Sequence, residues 1–125
     1  MFQVMLEFDE EWAVNDSHRV KGNFDCEIAV SPIIALRHAR AFLAGYVTLM
    51  TNVGAPVLVL GDRPRWRIPA YFVYPQLGEV STLGAVEIDA QTGEVTLATA
   101  HQISAMKERA NAIATRLAPQ PVAAG

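Results

Sequence analysis

Residues 66–97 read WRIPAYFVYPQLGEVSTLGAVEIDAQTGEVTL. From Arg65 to Tyr74, Trp66, Ile68, Ala70 and Phe72 alternate with Arg65, Arg67, Tyr71 and Val73. A period of two is the mark of a strand with one buried face. Pro75-Gln76-Leu77-Gly78 carries turn residues, and Val80 to Asp89 returns as a second strand. The segment Asp89-Ala90-Gln91-Thr92-Gly93-Glu94-Val95 then closes a hairpin, with Gly93 supplying the positive φ that a short β-loop needs. Strands joined by such short turns predict an antiparallel sheet. Pro69 has no backbone donor, which predicts an edge position or a bulge for the strand that carries it.

Upstream, Pro56-Val57-Leu58-Val59-Leu60 is a short apolar strand, and Gly61-Asp62-Arg63-Pro64 turns the chain into the next one. Ser31-Pro32 opens a helix, because serine accepts from free first-turn amides and proline tolerates the first helical position. Its apolar positions include Ile33, Ile34, Leu36, Phe42, Leu43, Tyr46, Val47 and Met50. The helix is predicted to run to Asn52-Val53-Gly54, with Gly54 as a left-handed cap. Phe2, Val4, Leu6 and Phe8 alternate with polar residues and Met5, as do Phe24, Cys26, Ile28 and Val30 with Asp25 and Glu27, giving two further candidate strands. Met, Leu and Glu in the first segment also permit a short helix there. Trp12 and the loop Asn15-Asp16-Ser17-His18 lie between them.

Downstream, Thr99-Ala100-His101-Gln102 matches a capping box. Ile103, Met106, Ala110, Ile113, Ala114 and Leu117 form one stripe, with Lys107, Glu108, Arg109 and Arg116 off it. The predicted fold is therefore α+β: an antiparallel sheet of four to six strands against a long central helix, with a second, amphipathic helix at the C-terminus. One domain over residues 1–118 and a flexible tail over 119–125 are expected.

Composition removes several functions. The net charge is −3, whereas phosphate neutralisation calls for a basic excess, so nucleic acid is not an expected partner. Cys26 is the single cysteine, which excludes an internal disulfide and cysteine-based zinc sites. The opening MFQVMLEFDEEW lacks the basic-then-apolar pattern of a signal peptide, so a cytoplasmic location is expected. Residues 41–61 carry no charge and are long enough to span a bilayer, but Asn52, Gly54 and Pro56 interrupt them, which argues against a membrane span. Half of the residues are apolar, a surplus that predicts a homodimer or a protein partner.

Candidate chemistry is sparse. His18, His38 and His101 share no metal-ligand spacing. Cys26 between Asp25 and Glu27 reads as a small core residue, since flanking carboxylates oppose a reactive thiolate. Asp89 and Glu94 flank the hairpin tip and should both be solvated. No glycine stands in a strand–glycine–helix phosphate loop. Neither a metal nor a cofactor is implied.

Arg63, Arg65 and Arg67 share one face of the predicted strand, beside Trp66 and Tyr71. Two readings stand: an anion or acidic-partner contact, or charges that guard a sheet edge. The acidic run Glu7 to Glu11 offers a third possibility, pairing with these arginines within the molecule or across a dimer. A binding, interaction or regulatory module without catalysis is the first expectation, with Arg63, Arg65, Arg67, Trp66 and Tyr71 as partner contacts. The second is a small-ligand binder or enzyme with an apolar pocket between sheet and helix, its polar groups drawn from His38, Cys26, Tyr71 and Tyr74.

Residues 31–97 resemble a PepSY-type module. The likeness rests on the helix opening at Ser31-Pro32 with Ala35 and Ala39 along it, on Trp66-Arg67-Ile68-Pro69, and on the strand and hairpin from Val86 to Val95. The resemblance implies a small α+β regulatory or inhibitory domain, usually outside the cytoplasmic membrane, without catalytic residues of its own. The absence of an export pattern departs from that family habit and points instead to an intracellular relative.

Overall fold

A computed structural model describes residues 3–7, 22–74, 78–96 and 100–117. The elements are β1 (Gln3–Leu6), α1 (Pro32–Tyr46), β2 (Thr51–Val53), β3 (Val57–Leu60), β4 (Arg65–Tyr74), β5 (Gly78–Asp89) and α2 (Ala100–Leu117). Phe2, Phe8, Trp12, the loop at residues 15–18, the turn at 75–77, the Thr99 cap and the tail at 119–125 lie outside the described residues.

Strand β4 organises the sheet. Its burial alternates as the sequence predicts, with Trp66, Ile68, Ala70 and Phe72 buried. On one side it pairs antiparallel with β5 over its whole length. On the other it pairs with β3 through Arg65–Arg67 and with β2 through Ala70–Phe72. This corrects the edge position, one of the two expectations for β4; the other, a bulge near Pro69, is met on the β5 side by a register shift between Ala70 and Tyr71. Pro69 is accommodated at the break between β2 and β3. Its carbonyl accepts from Gly54 N at 2.9 Å. A strand residue directs its N and its C=O to the same side, so the ring nitrogen faces the gap where no partner carbonyl waits.

The sheet is mixed, which corrects the all-antiparallel expectation. β1 lies parallel to β3, with Val4 opposite Leu58 and Leu6 opposite Leu60. Parallel neighbours need a long crossover, and here α1 and β2 lie between them in the chain. Residues 24–30 form no strand either. Ala29 N and Val30 N donate to Ala90 O, and Trp66 Nε1 donates to Val30 O at 2.8 Å. That segment is pinned at its end only, and Cys26 is exposed rather than in the core.

Ser31 caps α1 as predicted, its Oγ accepting from Ile34 N at 3.3 Å, with Pro32 in the first turn. The helix ends at Tyr46, not near Gly54. Val47 N and Thr48 N both donate to Leu43 O, closing the last turn. The chain released there supplies β2, because Thr51-Asn52-Val53 pairs with β4.

Both helices cover the same face of the sheet. Ala35, Ala39 and Leu43 of α1 and Met106 and Ala110 of α2 share one core with Trp66, Ile68, Phe72, Leu83, Val86 and Ile88. The α2 stripe is buried or half-buried at every predicted position. No described helix is long and apolar enough to cross a membrane.

The hairpin after β5 is held from two directions. Asp89 N donates to Glu94 O and Gly93 N to Asp89 O, both at 2.8 Å. Gly93 has φ 82° and its carbonyl accepts from His38 Nδ1–H of α1 at 2.6 Å. A Cβ at Gly93 would stand 2.8 Å from His38 Cε1. Gly93→Ala is expected to lower stability by about 1–2 kcal/mol from the left-handed backbone alone, plus a clash with the imidazole. Combining it with His38→Ala should recover the clash component and not the backbone component, measured by urea unfolding of the two single variants and the pair.

Candidate functional site

The face of the sheet opposite the helices carries the three arginines singled out in the sequence. Arg65 and Arg67 converge on Glu87 of β5. Arg65 Nε donates to Glu87 Oε2, and Arg67 donates to Glu87 Oε1 from Nε at 3.0 Å and from Nη2 at 2.9 Å. The Glu87 side chain is only 4% exposed. Glu7, next to β1, reaches over from the far edge and takes Nη2 of both arginines. Arg63 pairs with Asp89 at 2.8 Å. Pairing of the arginines with Glu7 within the molecule is thus realised.

Local structure explains the cluster. Arg67 stands opposite Glu87 and Arg65 opposite Asp89 in the β4–β5 register, so like-facing side chains meet across strands. Burying a carboxylate such as Glu87 is unfavourable unless charged donors surround it, and two guanidinium groups supply them. Val59, between Met5 and Arg65 in register, is fully buried although it lies on this face.

Asp89 is buried as well, which corrects its expected solvation at the hairpin tip. Burial pushes its carboxyl up. The N–H groups of Gln91 and Thr92, at 2.8 and 3.0 Å from Oδ1, and the Arg63 guanidinium outweigh that effect and hold the carboxyl below the usual range.

This arrangement has three cations and three carboxylates that satisfy each other. The anion-site reading finds Arg65 and Arg67 already occupied, and the edge-guard reading fails because β4 is central. Trp66 lies in the core at 1% exposure, so it presents no surface to a partner. Tyr71 is half-buried and lies against Gly54, where a Cβ would come within 2.8 Å of its ring. Glycine there lets the aromatic ring rest on the backbone.

No group of three or more His, Cys, Asp or Glu among the described residues could hold a metal ion. His101 is exposed at the start of α2, and Cys26 lines a shallow depression with Asp25 and Asp62. A cleft of about 190 Å³ opens between α1, β5 and α2. His38, Cys26, Tyr71 and Tyr74 do not line it. Arg109 and Gln102 do line it. The sequence reads Gln102 as part of the capping box of α2 and Arg109 as off the buried stripe, since nothing local marks a residue that faces a neighbouring strand.

The fold and this site define an α+β domain with helices on one face of a mixed sheet and a charge-neutral ion-pair network on the other. No protein-family model, curated protein or solved structure matches the chain.

Glu87→Gln should lower stability by about 1–3 kcal/mol, less than for a fully buried pair because both arginines keep contact with water. Chemical denaturation of the variant against the parent checks this. Because the Asp89 carboxyl is held below its unfolded value, its contribution to stability is complete above that value and is lost as pH falls through the folded one. The parent should therefore lose stability more steeply below about pH 4 than Asp89→Asn does, as read from thermal unfolding across an acid series.

Proposed function

We propose that this chain is a non-catalytic interaction module whose docking surface is the outer face of α1 with the loop that follows it. The observation that carries the reading is where apolar side chains remain in water. Ile33, Ile34, Tyr46, Leu49 and Met50 are all exposed, Leu49 at 84%. They make up the majority of the large exposed apolar residues among those described. The PepSY-type resemblance, with its regulatory domains, supports the same reading.

The chemistry of the partner follows from charge. No Asp or Glu occurs from Ile28 to Gly61, while Arg37 and Arg40 stand on α1 in the same stripe as Ile33 and Ala44. Among the described residues neither arginine has an acidic partner. Ala41, Ala44 and Gly45, exposed on this helix, let another backbone approach closely. The matching surface is a protein segment that offers apolar side chains flanked by carboxylates. Two-fold pairing of this face with itself would oppose arginines with arginines, so a second copy is the poorer fit.

Photo-crosslinkers placed at Leu49 and, as a control, at Thr82 of the opposite edge strand test the proposal. Adducts are expected from position 49 to an acidic protein. The affinity of that purified protein should fall by about tenfold or more in Arg37→Glu/Arg40→Glu and with added salt. A self-adduct with a dimer mass that survives the charge reversal would overturn the heterologous reading. Equal crosslinking from both positions would overturn the assignment of the face.

A further inference from the structure

The cleft between α1, β5 and α2 has the composition of a binding site for a small acid. Phe42, Ile103 and Met106 line it over the fully buried Leu83 and Val86, and Arg109 contributes a guanidinium. Its volume of about 190 Å³ exceeds the roughly 150 Å³ that accommodates a benzene-sized guest in an apolar protein cavity.

Arg109 is placed by the fold rather than left to wander. Leu83 is the extra residue where the β4–β5 register shifts, since Gly84 stands opposite Ala70 and Thr82 opposite Tyr71. A bulged residue leaves the ladder, and its carbonyl needs another donor. Arg109 Nη1 supplies it at 2.6 Å. That bond holds one nitrogen of the planar guanidinium at the bulge and leaves the remaining N–H groups for an acceptor. Among the described residues no carboxylate pairs with Arg109.

Gly84 lets the side chains of α2 come down close to the strand at the floor of the cleft. Its φ is 141°, and a Cβ there would come within 3.3 Å of Met106 Cε and 3.6 Å of Arg109 Nη1. The same bulge therefore positions the cation and lets Met106 approach the strand closely.

We infer that this cleft binds a small monocarboxylate with an apolar body of medium length, the chain or ring against Phe42, Gly84, Ile103 and Met106 and the carboxylate on Arg109. An apolar pocket with one convergent charged group is the usual form of such a site. A carboxylate matches the guanidinium fork, whereas an alcohol gains one weaker hydrogen bond and an amine meets a like charge. The cleft lies on the inner side of α1, away from Arg37 and Arg40, and adjoins the proposed docking face where the Tyr46 ring stacks on Phe42.

Titrating the intact, isotope-labelled protein with octanoate, octanol and octylamine, followed by amide NMR, tests the inference. Octanoate should shift the amides of Gly84, Val86 and Met106 saturably and bind about tenfold or more tightly than octanol, with octylamine weaker still. Arg109→Met should remove the preference for octanoate over octanol while octanol binding persists. Ala105→Trp, which fills the cleft from α2, should abolish both. Equal affinity for octanoate and octanol in the parent protein would overturn the inference, as would shifts that do not saturate or that lie elsewhere. The comparison of the three probes on the unmodified chain decides the matter even where a variant fails to fold.

Discussion

Strand β4 is paired on both sides, and its alternation divides the molecule. A strand in that position has no free edge, so each of its side chains must serve one face or the other. Trp66, Ile68, Ala70 and Phe72 serve the helix side and build the core with α1, α2 and β5. Arg65 and Arg67 serve the open side and must find partners within reach of a half-buried surface. A shift of one residue would put guanidinium groups in the core and indole in water. The indole of Trp66 also fixes the segment before α1 through Val30 O, so the entry to the first helix depends on the same strand.

The charge network follows from that constraint. Glu87 is nearly without solvent and stands between two arginines, and Glu7 joins the far edge of the sheet to them. Groups that neutralise one another at close range hold the open face together rather than recruit a ligand. The surfaces left over are of another kind. They are apolar with arginine that has no carboxylate partner among the described residues: the outer side of α1, with Arg37 and Arg40, and the cleft beside Arg109. Both readings of function rest on cations for which the fold provides no carboxylate among the described residues.

Local features were legible where one residue or one period carries the signal. The Ser31 cap, the β4 alternation, the positive φ of Gly93 and the buried stripe of α2 were all readable, since each depends on neighbours within a few positions. The end of α1 was not. Its apolar positions continue past Tyr46, and only pairing with β4 draws Thr51–Val53 into the sheet. Phe24 to Val30 alternates as a strand would, yet it joins no ladder, and its end is held by two hydrogen bonds to Ala90 O. The site was half legible. The arginines declare a shared face, but Glu87 opposite Arg67 depends on two register shifts in the β4–β5 pairing. Without those bulges Arg67 would face Ala85.

By itself the sequence determined the types of α1, β3, β4, β5 and α2, the α+β class, the buried face of β4 and the turn chemistry after β5. These follow from backbone dihedral preferences and side-chain periodicity, which act over a few residues. Only the tertiary structure decided that β1 runs parallel to β3, that β4 is central and that Glu87 and Glu7 take up Arg65 and Arg67. It alone placed Arg109 beside an open cleft. Those outcomes depend on which strands meet and in which register. Such meetings are set by the summed burial of distant segments and by bulges that carry no local signature.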